Sequence, residues 1–416
     1  MAKREETGGR ASRAEQVARG QSRSGISRQS AGREASSAAC RLRPAGSSGE
    51  SQSPLPPLYA GWMADLLKGP IPREADSTCD DCAMWAAPGD TSRPDFFFLP
   101  ETKCCTYIPN VPNYLVGRIL DDTDPAFAAG RATVEARIDA GIGVTPVGVA
   151  TPPVHSFLYE RGHDLAFGRS LRLRCPHYLE TTGGRCGIWR HRIGTCATWF
   201  CKHVRGAVGN RFWRALEQLL TITERHLARW CLLELRVPPG TLHGLFPPGT
   251  DRVFSDSLDA GDLDGVVWAE KYRGLWGTWA GRERELYRRA ARLVDGLAWS
   301  GVREIGGADV RLFAGLVLDR YRDLMASETP GRLSLGPFRI LAAGRERTRV
   351  VGYSGLHPLD LPSELMAALP YFDGRPTLEA LRLIRAEKRL RILPDLVRKL
   401  ADFEILVPAS PTLGSR

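Results

Sequence analysis

The segment from Cys175 to His203, CPHYLETTGGRCGIWRHRIGTCATWFCKH, holds four cysteines: Cys175, Cys186, Cys196 and Cys201. Basic residues and two aromatic doublets stand among them. This segment constrains the fold strongly, because its surroundings offer little regular periodicity. Residues 55–205 are rich in Pro and Gly, and their short runs read as strands or extended loops. FFFLP at 96–100 and VTPVGVATPPV at 144–154 are examples. No helical period stands out before TVEARIDAG. Such a region needs another source of order, and a metal held by thiolates is one. A disulfide knot, a nucleic-acid patch and a cysteine-rich core are the competing explanations.

The remaining cysteines sharpen the choice. Cys40 lies in a polar N-terminal stretch, and Cys231 falls on the apolar face of a helical pattern, where a thiol packs as a small hydrophobe. The other four are Cys79 and Cys82 in CDDC, then Cys104 and Cys105 in KCCTY. A Cys-x-x-Cys pair turns both sulfurs toward one ion, and two thiol pairs brought together make a four-thiolate site for zinc or an iron–sulfur cluster. No pair repeats as a clean zinc ribbon, so eight thiols in two groups carry the inference better than any single spacing. There is no charged-then-apolar leader and no apolar run of membrane length, so a cytoplasmic protein is expected, with no membrane contact. Cytosolic thiols stay reduced, which favours metal over disulfides.

Charge bears on the nucleic-acid reading. The net charge is +10, but residues 1–54 hold ten Lys/Arg against five Asp/Glu, half of the excess. That stretch lacks large apolar residues and is expected to be a disordered basic tail. Met63 is a sensible alternative start. Around the second cysteine group stand Arg172, Arg174, Arg185, Arg190, Arg192, Lys202 and Arg205, with Glu180 the only nearby acid in sequence. Cations beside sulfurs stabilise thiolates. The alternative use is phosphate, with Trp189, Trp199 and Phe200 as stacking surfaces. The metal reading is preferred and a nucleic-acid partner is not expected. His177, His191 and His203 could replace a thiolate as ligand, but are expected more often beside the site than on it.

The stretch CPHYLETTGGRCGIWRHRIGTCATWFC resembles the YkgJ-type cysteine-cluster proteins, a zinc- or iron-chelating family. The matching positions are Cys175, Leu179, Cys186-Gly187-Ile188-Trp189, Arg192, Cys196 and Cys201, with Cys79, Cys82, Cys104 and Cys105 as the upstream half. Ile193 stands where Pro is usual, and the intervals after Cys82 and before Cys175 are longer than in the compact form. The resemblance covers residues 75–210. It implies Cys79, Cys82, Cys104, Cys105, Cys175, Cys186, Cys196 and Cys201 as metal ligands. The flagellin lysine N-methylases are similar in cysteine pattern, which opens an alternative: an enzyme that modifies protein side chains.

From residue 207 the texture changes. Phe212, Leu216, Leu219, Leu220, Leu227, Trp230 and Cys231 recur at helical steps, and two further amphipathic patterns follow at 286–297 and 310–324. After residue 335, PFRILAAGRERTRVVGYS reads as a hairpin around Gly344. Helices follow in LPSELMAAL, TLEALRLIRAEKR and ILPDLVRKLADF, with Thr377 as a helix cap and EILVP as a closing strand. YFDGRPTLEALRLI and LVRKLADFEILV resemble the PqqD-type winged-helix domain, which implies a protein or peptide partner bound along a strand edge. The expected class is α+β, mainly helical. Its parts are a tail at 1–54, a loop-rich cysteine-cluster metal domain at 55–206, a helical region packed on it at 207–333, and a winged-helix-like module at 334–416. No Walker loop, Gly-x-Ser-x-Gly, His-Glu-x-x-His or radical-SAM cysteine triplet is present. GDLDG lacks the further acids of an EF-hand loop.

Overall fold

A computed structural model describes residues 53–74, 82–84, 97–180, 184–246, 264–267 and 269–409. Residues 1–52, Cys40, Cys79 and Phe96, all named above, lie outside the described residues. The fold is mixed helix and sheet, mainly helical, with small antiparallel sheets.

The cysteine-bearing half contains more helix than its sequence promised. It begins with α1 (Pro57–Leu67) and β1 (Val111–Pro112), followed by α2 (Asn113–Asp121) and α3 (Ala128–Asp139). Next come β2 (Val144–Thr145), β3 (Gly148–Val149) and α4 (Pro153–Ala166). In α2 nearly every residue is buried, Tyr114, Leu115, Val116, Ile119 and Leu120 among them. At nine residues, α2 is too short for its apolar period to stand out beside Pro109 and Pro112. The segment 144–149 does form strands, in a sheet of order β1-β3-β2 with Val111 opposite Val149. FFFLP does not extend as a strand: Phe98 makes an isolated bridge and a turn begins at Pro100. Tyr59 and Trp62, which a chain started at Met63 would lack, are buried.

Further along are β4 (Tyr178–Leu179), β5 (Arg185–Cys186) and the short α5 (Gly194–Thr198). The long helix α6 (Gly206–Glu234) follows, burying Phe212, Leu216, Leu219, Leu220, Leu227 and Cys231 as its period predicts; Trp230, also expected there, is half-buried, and Trp213 is buried in addition. After it come α7 (Pro239–Leu245), α8 (Ala269–Trp276), α9 (Glu283–Asp295) and α10 (Trp299–Met325). Helix α6 packs along α10, and α9 packs along α2. The α2–α9 contact is backbone against backbone. A Cβ at Gly117 would stand 1.9 Å from the Tyr287 carbonyl oxygen, so this crossing needs glycine. One hydrophobic core runs from Leu55 to Leu324 and takes in both the cysteine-bearing helices and α6–α10.

A second core lies in the C-terminal part, built on Leu333, Val350, Leu365, Phe372, Ile384, Val397, Leu400 and Ile405. Its strands are β6 (Arg332–Leu335), β7 (Arg339–Ala343), β8 (Arg347–Val351), β9 (Leu359–Pro362), β10 (Asp373–Pro376) and β11 (Leu406–Pro408). Its helices are α11 (Ser363–Ala368), α12 (Thr377–Lys388) and α13 (Pro394–Asp402). The sheets run β7-β8-β9 and β10-β6-β11, and the hairpin turns at Gly344 as expected. Thr377 corrects its assignment. It opens α12 but does not cap it, since its hydroxyl donates to the Pro330 carbonyl at 2.8 Å.

Candidate metal centre

The thiols are placed by turns that tie distant segments together. Between Leu99 and Thr106 the chain doubles back on itself, with Lys103 and Thr102 amides donating to Leu99 and the Cys105 amide to Thr102. Thr102 and Thr106 stitch this loop to Gly168 through their hydroxyls, at 2.8 and 2.9 Å. The Cys175 amide donates to the Cys105 carbonyl at 2.8 Å, which sets the two groups of cysteines side by side. Cys186 stands on β5 opposite Tyr178 of β4. Its neighbour Gly187 is pinned by the His177 carbonyl at 2.7 Å and by α3. A Cβ at Gly130 on α3 would sit 1.8 Å from the Gly187 carbonyl oxygen. Cys196 rides on α5. Glu224 of α6 holds the start of that helix, accepting the Gly194 amide at 2.6 Å and the Tyr59 hydroxyl on the same oxygen, Oε1. Cys201 precedes α6 in a turn held by Glu74, which accepts the Val204 amide and the Trp213 indole, the latter at 2.6 Å.

The spatial grouping differs from the grouping in sequence. Cys105 lies within electrostatic reach of Cys186, Cys175 and Cys196, and Cys196 of Cys186 and Cys104. Cys104 donates its S–H to the Cys105 sulfur. Cys104 also packs with Cys82 and Cys201 against Met84, Phe98 and Phe167. The adjacent pair Cys104–Cys105 therefore joins two sets, one toward Cys175, Cys186 and Cys196, the other toward Cys82 and Cys201. Seven of the eight expected ligands are described and gather here; Cys79 lies outside the described residues. Among the described residues no two cysteines are joined by a disulfide. Nor, among the described residues, are three or more His, Cys, Asp or Glu side chains placed so that they could hold one metal ion together.

The environment of these thiols is dry. The hydrogen bond to Cys105 and burial hold the Cys104 thiol well above its usual range. Burial does the same for Cys175 and Cys196, with Cys186 adding to it in both. Cys105 is pulled down by the bond from Cys104, yet burial and three neighbouring sulfurs leave it raised. Two cations work the other way: Arg192 on Cys104 and Cys196, and Arg137 on Cys175. Arg192 was expected from the sequence. Arg137 was not, although its place on α3 between Val134 and Ile138, both buried, was a signal.

Three of the other cations correct the expectation that they answer sulfur charge. Arg174 pairs with Glu180. Arg190 pairs with Asp122 at 3.2 Å and Asp124 at 2.7 Å, and Arg205 with Asp402 at 2.5 Å. Those aspartates lie far away in sequence, so a local count of acids missed them. The histidines divide similarly. His191 bonds Asp122 at 2.8 Å and His203 bonds the Tyr353 hydroxyl at 3.2 Å. His177 takes Thr133 on Nδ1 at 2.7 Å, while its buried Nε2 has no hydrogen-bond partner among the described residues. Burial lowers its pKa to about 3, so the ring is neutral. Trp199 and Phe200 pack on Phe167 and Trp213, whereas Trp189 is 39% exposed beneath the Arg192 guanidinium.

The donor chemistry fits a soft or borderline metal. The thiols neighbour one another in a largely apolar setting, with a neutral imidazole two residues from Cys175; thiolate and imidazole suit zinc and iron–sulfur clusters, whereas magnesium and calcium want oxygen. In comparisons with known proteins, no family model, no curated protein and no solved structure matches this chain. No helix among the described residues is long and apolar enough to cross a membrane.

Proposed function

We propose that this is a metal-binding protein whose grouped cysteines hold an iron–sulfur cluster or zinc, working with a protein or peptide partner. The observation that carries this reading is the gathering of Cys82, Cys104, Cys105, Cys175, Cys186, Cys196 and Cys201 from segments far apart in sequence. Buried thiols that only filled space would not need to converge. Thiolates that share a metal must. Cys104, Cys105, Cys175, Cys186 and Cys196 would supply the closest set of ligands, with Cys82 and Cys201 beside them. The metal would supply either electron transfer or a structural cross-link. Arg137 and Arg192 would offset part of the anionic charge of such a site.

For the partner, support comes from β7 (Arg339–Ala343). It is an outer strand of its sheet and every one of its residues is exposed. Unpaired backbone groups on such an edge accept an extended peptide. Assay of iron, sulfide and zinc in anaerobically purified protein, with a visible spectrum, tests the metal reading. Stoichiometric zinc, or iron with sulfide and a charge-transfer band, is the expected result. A colourless, metal-free protein would overturn it.

A further inference from the structure

A cavity of about 260 Å³ opens between α6 and the β1–β3 sheet, with no cysteine in its lining. It is far larger than a single water needs and near the lower limit for small-ligand sites. Val111, Val149 and Ala228 form apolar walls, and Glu224, Thr221 and Arg225 also line it. Glu224 is 7% exposed. Both of its hydrogen bonds fall on Oε1, from Tyr59 and Gly194, and both donors are neutral. Oε2 takes no hydrogen bond among the described residues. A buried acid with one oxygen unmatched and no cation beside it is costly to ionise, and a ligand that brings a positive charge relieves that cost. Arg225 is exposed and, among the described residues, makes neither an ion pair nor a hydrogen bond. The cavity lining therefore brings together a buried acid, an exposed base and apolar side chains.

We propose that this cavity binds a small zwitterion, its ammonium against Glu224 Oε2, its carboxylate against Arg225, and a short apolar body between them. A simple anion meets the Glu224 charge and a simple cation leaves Arg225 unused, so only a molecule with both ends satisfies the two residues. The inference does not depend on the metal reading, because the cavity has no cysteine in its lining.

Calorimetry on the full chain tests it with 4-aminobutanoate, 5-aminopentanoate and 6-aminohexanoate. Each is compared with the amine and the acid of equal length. One of the three should bind about tenfold more tightly than its matching amine and acid, the worth of one charge-assisted hydrogen bond at each end. Arg225→Ala, at an exposed position, should erase the advantage over the amine, and Glu224→Gln the advantage over the acid. Thr221→Trp should block all binding by filling the cavity from its half-buried side, while metal content stays unchanged. If Glu224→Gln does not fold, the other two variants decide. The proposal fails if none of the three amino acids outbinds both of its analogues, or if Thr221→Trp leaves binding intact.

Discussion

At Glu224 burial raises the carboxyl from 4.5 to about 7, against the opposing pull of the Tyr59 and Gly194 hydrogen bonds. The folded protein therefore keeps this proton to a higher pH than the unfolded chain does. Unfolding releases it between pH 4.5 and 7, so the stability contributed here is full at acid pH, falls as pH rises through that window, and levels off above it. Glu224→Gln should flatten this part of the profile, by on the order of 3 kcal/mol across the window. Urea unfolding at pH 5 and pH 7.5 measures it, and an unchanged slope would refute the burial argument. At the cysteines the expectation is different. Cys186→Ser and Cys196→Ser should each lose most bound metal together with solubility, because binding and folding are coupled. Metal analysis after purification checks this, and a variant with full metal content removes that residue from the ligand set. The thiols were legible because cysteine is scarce and its spacing is informative. Glu224 was not, since Glu between Thr223 and Arg225 reads as a solvent-facing helix position. Only the approach of Tyr59 and Gly194, far off in sequence, gives it a role.

Among the elements, β5 shows how a site residue depends on a neighbour without chemistry of its own. Gly130→Ala forces a methyl group into the Gly187 carbonyl and must move either α3 or the strand that carries Cys186. Overpacking of this kind costs about 1–3 kcal/mol. A lower melting temperature with a reduced metal-to-protein ratio is expected, and a normal ratio would mean that α3 yields instead of β5. The sequence made the elements with one wet face legible: α6, α9, α10 and the β7–β8 hairpin stand where the apolar period placed them. It left α1 and α2 unseen, because α2 is only nine residues long and the period of α1 is blurred by apolar residues around its whole circumference. Pro- and Gly-rich sequence between them was read as irregular. Elsewhere in residues 55–205 prolines open helices, Pro57 in α1 and Pro153 in α4.

For the whole molecule, the two hydrophobic cores meet at the start of α6. Arg205 grips Asp402 with two nitrogens, Nε at 2.5 Å and Nη2 at 3.0 Å. It also donates to the Leu324 carbonyl at 2.6 Å, and Arg211 reaches Glu404 at 2.8 Å. The bidentate pair is the stronger, being half-buried and fixed in geometry. Arg205→Ala leaves Asp402 buried and unmatched. It should lower the melting temperature of the C-terminal part selectively, so that scanning calorimetry resolves two transitions where the parent shows one. A single transition in the variant would mean that the remaining contacts suffice. Leu356 packs in the cluster with Cys82, Cys104 and Cys201, so loosening this junction also exposes the sulfurs on that side.

The bond between the Cys105 carbonyl and the Cys175 amide has a consequence in time. About 70 residues separate its ends. At a synthesis rate of about 5–20 residues per second, Cys104 and Cys105 emerge some seconds before Cys175 exists to meet them. During that interval the early thiols are open to oxidants, to stray copper and to each other. A slow translation step before Cys175 would lengthen that exposure and should lower the yield of folded protein with reduced thiols.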